Sequence, residues 1–144
     1  MSFWKRLFKR PDRERLRPRR LDYLNEALAL ERQGDFDAAL TSYRLALRDD
    51  PNDLRVLQNI AIAFSKTDQH DEAIRYYRKA LEIDNKQMGA HYGLAFLLIK
   101  RGETETGATH LRAFLANPPP DAGAEKWIEH ARGTLEELGL TEGP

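Results

Sequence analysis

Apolar positions along this chain fall into short helical runs, and the runs repeat. Ala39, Tyr43, Arg44, Ala46, Leu47 and Asp50 return 34 residues later as Ala73, Tyr77, Arg78, Ala80, Leu81 and Asp84. Leu111, Arg112 and Leu115 mark a third copy after a further 34 residues. Setting residues 20–53 against 54–87 gives ten identities, Asn25/Asn59, Ala27/Ala61 and Asp37/Asp71 among them. Within each unit the apolar residues follow the 3.6-residue period in two segments. The breaks between them are Gly34-Asp35, Thr67-Asp68-Gln69 and Arg101-Gly102-Glu103. Glycine stops a helix and Asp or Asn caps the next, so Asp50-Pro51-Asn52-Asp53 reads as a junction between units. The pattern predicts helices over 21–33, 36–48, 54–67, 70–83, 88–101 and 104–116. After Pro118-Pro119-Pro120, the positions Trp127, Ile128, Ala131, Leu135 and Leu138 share one helical face and predict a terminal helix over 122–138. A fixed period of this length implies an all-α helix-turn-helix solenoid, in which each unit buries its apolar face against its neighbours.

Ahead of the repeats lies a different object. In residues 1–10, Phe3, Trp4, Leu7 and Phe8 fall on one helical face, and Lys5, Arg6, Lys9 and Arg10 on the other. Pro11 ends that helix, because the residue before a proline avoids the helical region. Large aromatics opposite Lys/Arg fit a short amphipathic helix lying in the headgroup layer of an anionic membrane, or docking on a membrane protein complex. Folding back as a cap, or contacting a polyanion through the arginines that run to Arg20, are the competing readings. The aromatics cluster on one face instead of being spaced for base stacking, which favours lipid over nucleic acid.

The repeat positions resemble the tetratricopeptide repeat, a 34-residue helix–turn–helix unit with the pattern W-x₂-L-G-x₂-Y…A-x₃-F…A…P. The second unit supplies Leu57, Ile60, Ala61, Phe64, Ala73, Tyr77 and Ala80, with Asn85 in the proline place. The first supplies Tyr23, Ala27, Leu30, Gly34, Ala39, Tyr43, Ala46 and Pro51, with Glu26 where leucine is usual. The third supplies His91, Leu94, Ala95, Leu98, Gly102, Leu111 and Pro119, but has Gly107 and Phe114 where alanines are expected. The resemblance implies a right-handed superhelical domain over 20–144, with repeats at about 20–53, 54–87 and 88–121. It also implies a concave groove lined by the first helix of each unit, which receives a partner peptide or helix. Mapped onto this chain, the groove comprises Leu24, Asn25, Leu28 and Arg32, then Arg55, Gln58, Asn59, Ile62 and Lys66, then Tyr92, Phe96, Ile99 and Lys100. Only Asn59 matches the family's carboxylate-clamping subset, so the expectation is an apolar centre with Arg32, Arg55, Lys66 and Lys100 as rim charges, suited to an amphipathic helix.

Composition narrows the functional classes. The formal net charge of zero divides into a basic arm, with nine Lys/Arg against two acids in residues 1–20, and an acidic body. Cysteine is absent, which excludes disulfides and thiolate metal sites. The four histidines form neither an H-x₃-H nor an H-E-x-x-H pair. Phosphate-binding glycine loops are missing, and no serine lies in a nucleophile elbow. The expectation is a protein without catalytic activity, cofactor or metal. It would act as an interaction adaptor on the cytoplasmic, inner face of a membrane, with self-association open. The alternative is a soluble polyanion- or nucleic-acid-associated factor using the arginine-rich arm.

Overall fold

The same backbone device ends the first helix of every unit. Gly34 and Gly102 take left-handed conformations (φ 81° and 94°), and Asp68 takes the equivalent place in the second unit with φ 60°. In each case the next residue's N–H reaches back five residues. Asp35 donates to the Leu30 carbonyl at 2.9 Å, Gln69 to Phe64 at 2.9 Å and Glu103 to Leu98 at 2.8 Å. This closes the orphan carbonyls at the helix end and turns the chain back on itself. Aspartate tolerates the left-handed region because its short polar side chain can bond locally, so the 34-residue rhythm survives the loss of glycine.

The computed structural model describes residues 20–141, with side chains from Tyr23 onward. Among these residues there are seven α-helices: α1 (Arg20–Arg32), α2 (Phe36–Asp49), α3 (Leu54–Lys66), α4 (His70–Ile83), α5 (Met88–Lys100), α6 (Thr104–Ala116) and α7 (Glu125–Glu137). The expected bounds hold to within a residue or so, except that 122–138 divides. Ala122–Ala124 form a 3-10 turn, and α7 starts only at Glu125. Asp35 caps α2 by accepting from the Ala38 N–H, and Asp53 caps α3 by accepting from Arg55 and Val56. The expected amphipathic helix at 1–10 lies outside the described residues.

Small residues set the helix spacing. Ala27, Ala39, Ala61, Ala73, Ala80 and Ala95 are all fully buried, so neighbouring backbones approach without a wedge between them. One core cluster runs from Leu24 in α1 to Leu98 in α5. A second joins α5, α6 and α7 through Ala95, Ala108, Leu111, Phe114, Ala131 and Leu135.

The two departures in the third unit have a packing reason. A Cβ on Gly107 would stand 2.8 Å from the Ala95 carbonyl oxygen and 2.6 Å from Ile99 Cγ1. Here α5 and α6 lie too close even for alanine. Phe114 is fully buried, with its ring 5.1 Å from that of Tyr92. The units are otherwise joined by four-residue turns, whereas eight residues separate α6 from α7. The longer link takes α7 out of the 34-residue spacing, and a phenyl ring fills the place held by Ala46 and Ala80 in the earlier units. Gly93 is a third close approach: a Cβ there would meet the Tyr77 ring at 2.6 Å. Tyr77 lies against the α5 backbone at that notch, and burial pushes its phenol up to about 12.

Candidate functional site

The odd-numbered helices α1, α3 and α5 carry the predicted groove residues, and the repeat sets their alignment. Leu28, Ile62 and Phe96 fall at 34-residue intervals, one per helix. Four residues on, Arg32, Lys66 and Lys100 form a second row at the helix ends. Residues four apart share a helical face, so each apolar side chain has a cation one turn away. Ile62 is 37% exposed, one of the few large apolar side chains left open to water, while Leu28 and Phe96 are half-buried. Asn25, Arg32, Arg55, Lys66 and Lys100 are exposed, and Asn59 is half-buried. Among the described residues Arg32, Lys66 and Lys100 form no ion pair, whereas Arg55 lies 3.9 Å from its own helix cap, Asp53.

Three of the predicted residues are engaged elsewhere. Leu24 is buried in the main core cluster, because its position on α1 faces the neighbouring helices. Gln58 donates to Gln87 Oε1 at 2.8 Å, and Gln87 donates in turn to Asp84, tying α3 to the turn before α5. Ile99 packs into the close α5–α6 contact at Gly107.

The C-terminal end of the groove is occupied by α7. Trp127 stacks on Tyr92 with ring centres 5.1 Å apart, and His130 lies parallel to Phe96 at 4.5 Å. The Tyr92 hydroxyl and His130 Nδ1 are 2.7 Å apart and share a hydrogen bond. Aromatic stacking of this kind contributes about 0.5–1.5 kcal/mol per pair beyond area burial. Tyr92 and Phe96 are therefore half-covered by the terminal helix, while Trp127 keeps 43% of its surface exposed. The open stretch of the face is the part carried by α1 and α3, with Leu28 and Ile62 at its centre.

Sequence reasoning did not find Trp127 or His130 as part of this face. It also treated His91 and His110 as unrelated. The structure brings the last two together, with their Nδ1 atoms 2.9 Å apart. Counting from the turn does not pair them, since His91 lies ten residues before Arg101 and His110 seven after Glu103. Their geometry does not make a metal centre, and no group of three or more metal-ligating side chains occurs among the described residues. No described helix is long and apolar enough to cross a membrane. The basic arm and its candidate anchor residues lie outside the described residues.

Comparison with known proteins agrees with the repeat geometry. The sequence matches two models of the tetratricopeptide repeat, over residues 20–86 and 66–124. A comparison with curated protein sequences found no match. Among solved structures, the Sgt2 TPR domain from Aspergillus fumigatus is similar at 20% identity and a TM-score of 0.70. The match covers 88% of this chain and 86% of that one. The Yersinia enterocolitica type III secretion chaperone SycD, in complex with a peptide of the translocator YopD, is similar at 18% identity and a TM-score of 0.76, covering 83% and 91%. The first TPR of Spaghetti (RPAP3), bound to the HSP90 peptide SRMEEVD, gives 16% identity and a TM-score of 0.73 over 83% and 93%. With the 34-residue period, the recurrent left-handed stops and the buried alanines, these matches place the chain in the tetratricopeptide repeat family.

Proposed function

We propose that this protein is a non-catalytic adaptor whose α1–α3–α5 face binds a helix or peptide of a partner protein. The basic amphipathic segment at residues 1–10 then tethers it to the cytoplasmic face of an anionic membrane or to a complex there. The observation that carries the reading is the pair of parallel rows, Leu28 and Ile62 exposed or half-exposed beside Arg32, Lys66 and Lys100. Exposed apolar side chains aligned along one face mark an interface. A cationic row one turn away suits a partner segment with acidic side chains flanking an apolar stripe. Two of the similar structures named above hold peptides, which supports a peptide or helix as the ligand class.

The sign of the rim charges also bears on the arm. Residues 1–20 are strongly basic, so the arm and the Arg32–Arg55–Lys66–Lys100 face repel each other, which leaves Phe3, Trp4, Leu7 and Phe8 for another surface. An anionic bilayer offers each basic side chain about 1 kcal/mol, with burial of the aromatic face in addition.

The test separates the two halves. The whole chain, residues 20–144 alone and the full-length Ile62→Asp variant are used as baits on gently solubilised membranes. Vesicle sedimentation with phosphatidylglycerol-containing vesicles is run in parallel. The proposal expects one protein to be captured by the first two baits and lost with Ile62→Asp, while vesicle binding follows residues 1–19 and disappears in Trp4→Asp/Phe8→Asp. Capture that ignores Ile62→Asp would remove the groove from the reading. A salt-sensitive shift of RNA or DNA by the arm, with no vesicle binding, would replace the membrane by nucleic acid.

A further inference from the structure

We propose that His91 and His110 form a proton-operated latch between the second and third repeats. At neutral pH a single hydrogen-bonded proton between their Nδ1 atoms ties α5 and α6 to the 84–87 turn, and protonation of both rings releases them. This inference does not depend on what the groove binds.

The partners fix where the protons sit. His91 Nε2 lies 2.8 Å from the carbonyl oxygen of Asn85, a group that only accepts, so Nε2 carries a proton. In the neutral ring Nδ1 is then a bare acceptor. The atom facing it at 2.9 Å is His110 Nδ1, which must be the donor. The result is a chain running from His110 through His91 to the backbone of the turn that joins the repeats. His91 is 4% exposed, so water cannot replace either bond without the helices parting.

The pair has room for one added proton and not two. The first lands on His110 Nε2 and leaves the His110-to-His91 bond in place, now donated by an imidazolium. The second has only the lone pair of His91 Nδ1, which is already accepting. Taking it would aim two N–H groups at each other across 2.9 Å, between two cations. The neighbours oppose that state further. Burial, the facing His91 ring and the Arg78 guanidinium on α4 hold the His110 imidazole below its ordinary range. In the turn, the Asp84 carboxylate beside Asn85 is committed to the Lys86 N–H at 2.9 Å and the Gln87 amide at 2.8 Å, so it does not neutralise the rings.

The sign follows by linkage. The unfolded chain binds a proton on each ring below about pH 6.5, while the native pair resists the second. The latch therefore contributes its full stability above that pH and loses it as the pH falls below. Because these are coupled sites, the protons come off in steps that belong to the pair.

The experiment uses the full-length chain with ¹⁵N-labelled histidine side chains, followed by NMR from about pH 8 to about pH 5, a window that spans the ordinary imidazole range. At the upper end His91 should show a bare Nδ1 and a protonated Nε2, and His110 the reverse. Thermal melts of wild type and His110→Asn run alongside. The asparagine amide nitrogen takes the place of Nδ1 as a donor that does not titrate, so His91 still resists its proton and most of the acid-induced fall in melting temperature should persist. Two Nε2-protonated rings titrating independently would overturn the latch, as would loss of the acid-induced fall in His110→Asn. Should that variant fail to fold, the nitrogen pattern of the wild-type chain decides alone.

Discussion

Three glycines inside helices give predictions of opposite sign, and the structure supplies the reason. Replacing a helix-interior glycine by alanine gains about 0.8–1.0 kcal/mol from backbone propensity wherever the methyl group has space. At Gly133, in α7, a Cβ meets nothing within 4 Å. Gly133→Ala should therefore stabilise the protein by about 1 kcal/mol. At Gly107 the same methyl would sit 2.8 Å from the Ala95 carbonyl oxygen, which belongs to the α5 backbone and cannot rotate away, and 2.6 Å from Ile99 Cγ1. Relieving those contacts means moving α6 off α5, and overpacking of this kind costs about 1–3 kcal/mol. Subtracting the propensity gain of about 0.8–1.0 kcal/mol leaves a net loss of up to about 2 kcal/mol for Gly107→Ala. Gly93→Ala should also lose stability, because Tyr77 is buried over that notch and its ring is rigid. Urea unfolding followed by helical circular dichroism measures all three. With a slope of about 2 kcal/mol per molar urea, the Gly107→Ala midpoint should fall by up to about 1 M and the Gly133→Ala midpoint should rise, at unchanged slope. A Gly107→Ala midpoint at or above wild type would refute the claim that α5 and α6 are in backbone contact.

Other consequences are open to direct measurement. Asp53→Ala removes the acceptor for two α3 N–H groups and should cost about 0.5–2 kcal/mol in the same urea assay, with Asp53→Asn recovering most of it. Phe114→Ala empties the space beneath α7 and should cost about 3–5 kcal/mol. It should also change the fluorescence of Trp127, whose stacking partner Tyr92 packs on Phe114. Of the five tyrosines, Tyr77 is held up to about 12 by burial, and burial with the nearby Glu31 carboxylate also pushes the Tyr43 phenol up. Both raised values mean that stability is complete below the ordinary tyrosine range, about pH 10, and falls as the pH rises through it. An alkaline absorbance titration should find these two phenols ionising only as the fold is lost.

How far the fold was legible depends on whether a position repeats. The helix pairs and their turns could be read because each occurs three times at one spacing, as the buried Ala27, Ala61 and Ala95 do, and Asp68 in place of glycine did not disturb the count. The alignment of Leu28 with Ile62 and of Arg32 with Lys66 along the helices was legible for the same reason. What escaped depends on single contacts across helices. Nothing in the periodicity shows that Leu24 is buried or that Ile99 turns toward Gly107, since both sit at positions that on a regular helix lie beside exposed ones. The chemistry of α7 was hidden because its distance from the last unit is set by the eight-residue link, so Trp127 and His130 could not be placed against Tyr92 and Phe96 by counting in 34s. Gly107 and Phe114 did carry that information, as the two places where the third unit breaks the alanine rule. The smaller residue marks where α6 moves against α5, and the larger one marks where α7 stands off. Where a solenoid stops repeating, such paired departures in side-chain volume locate the end of the array before any contact is known.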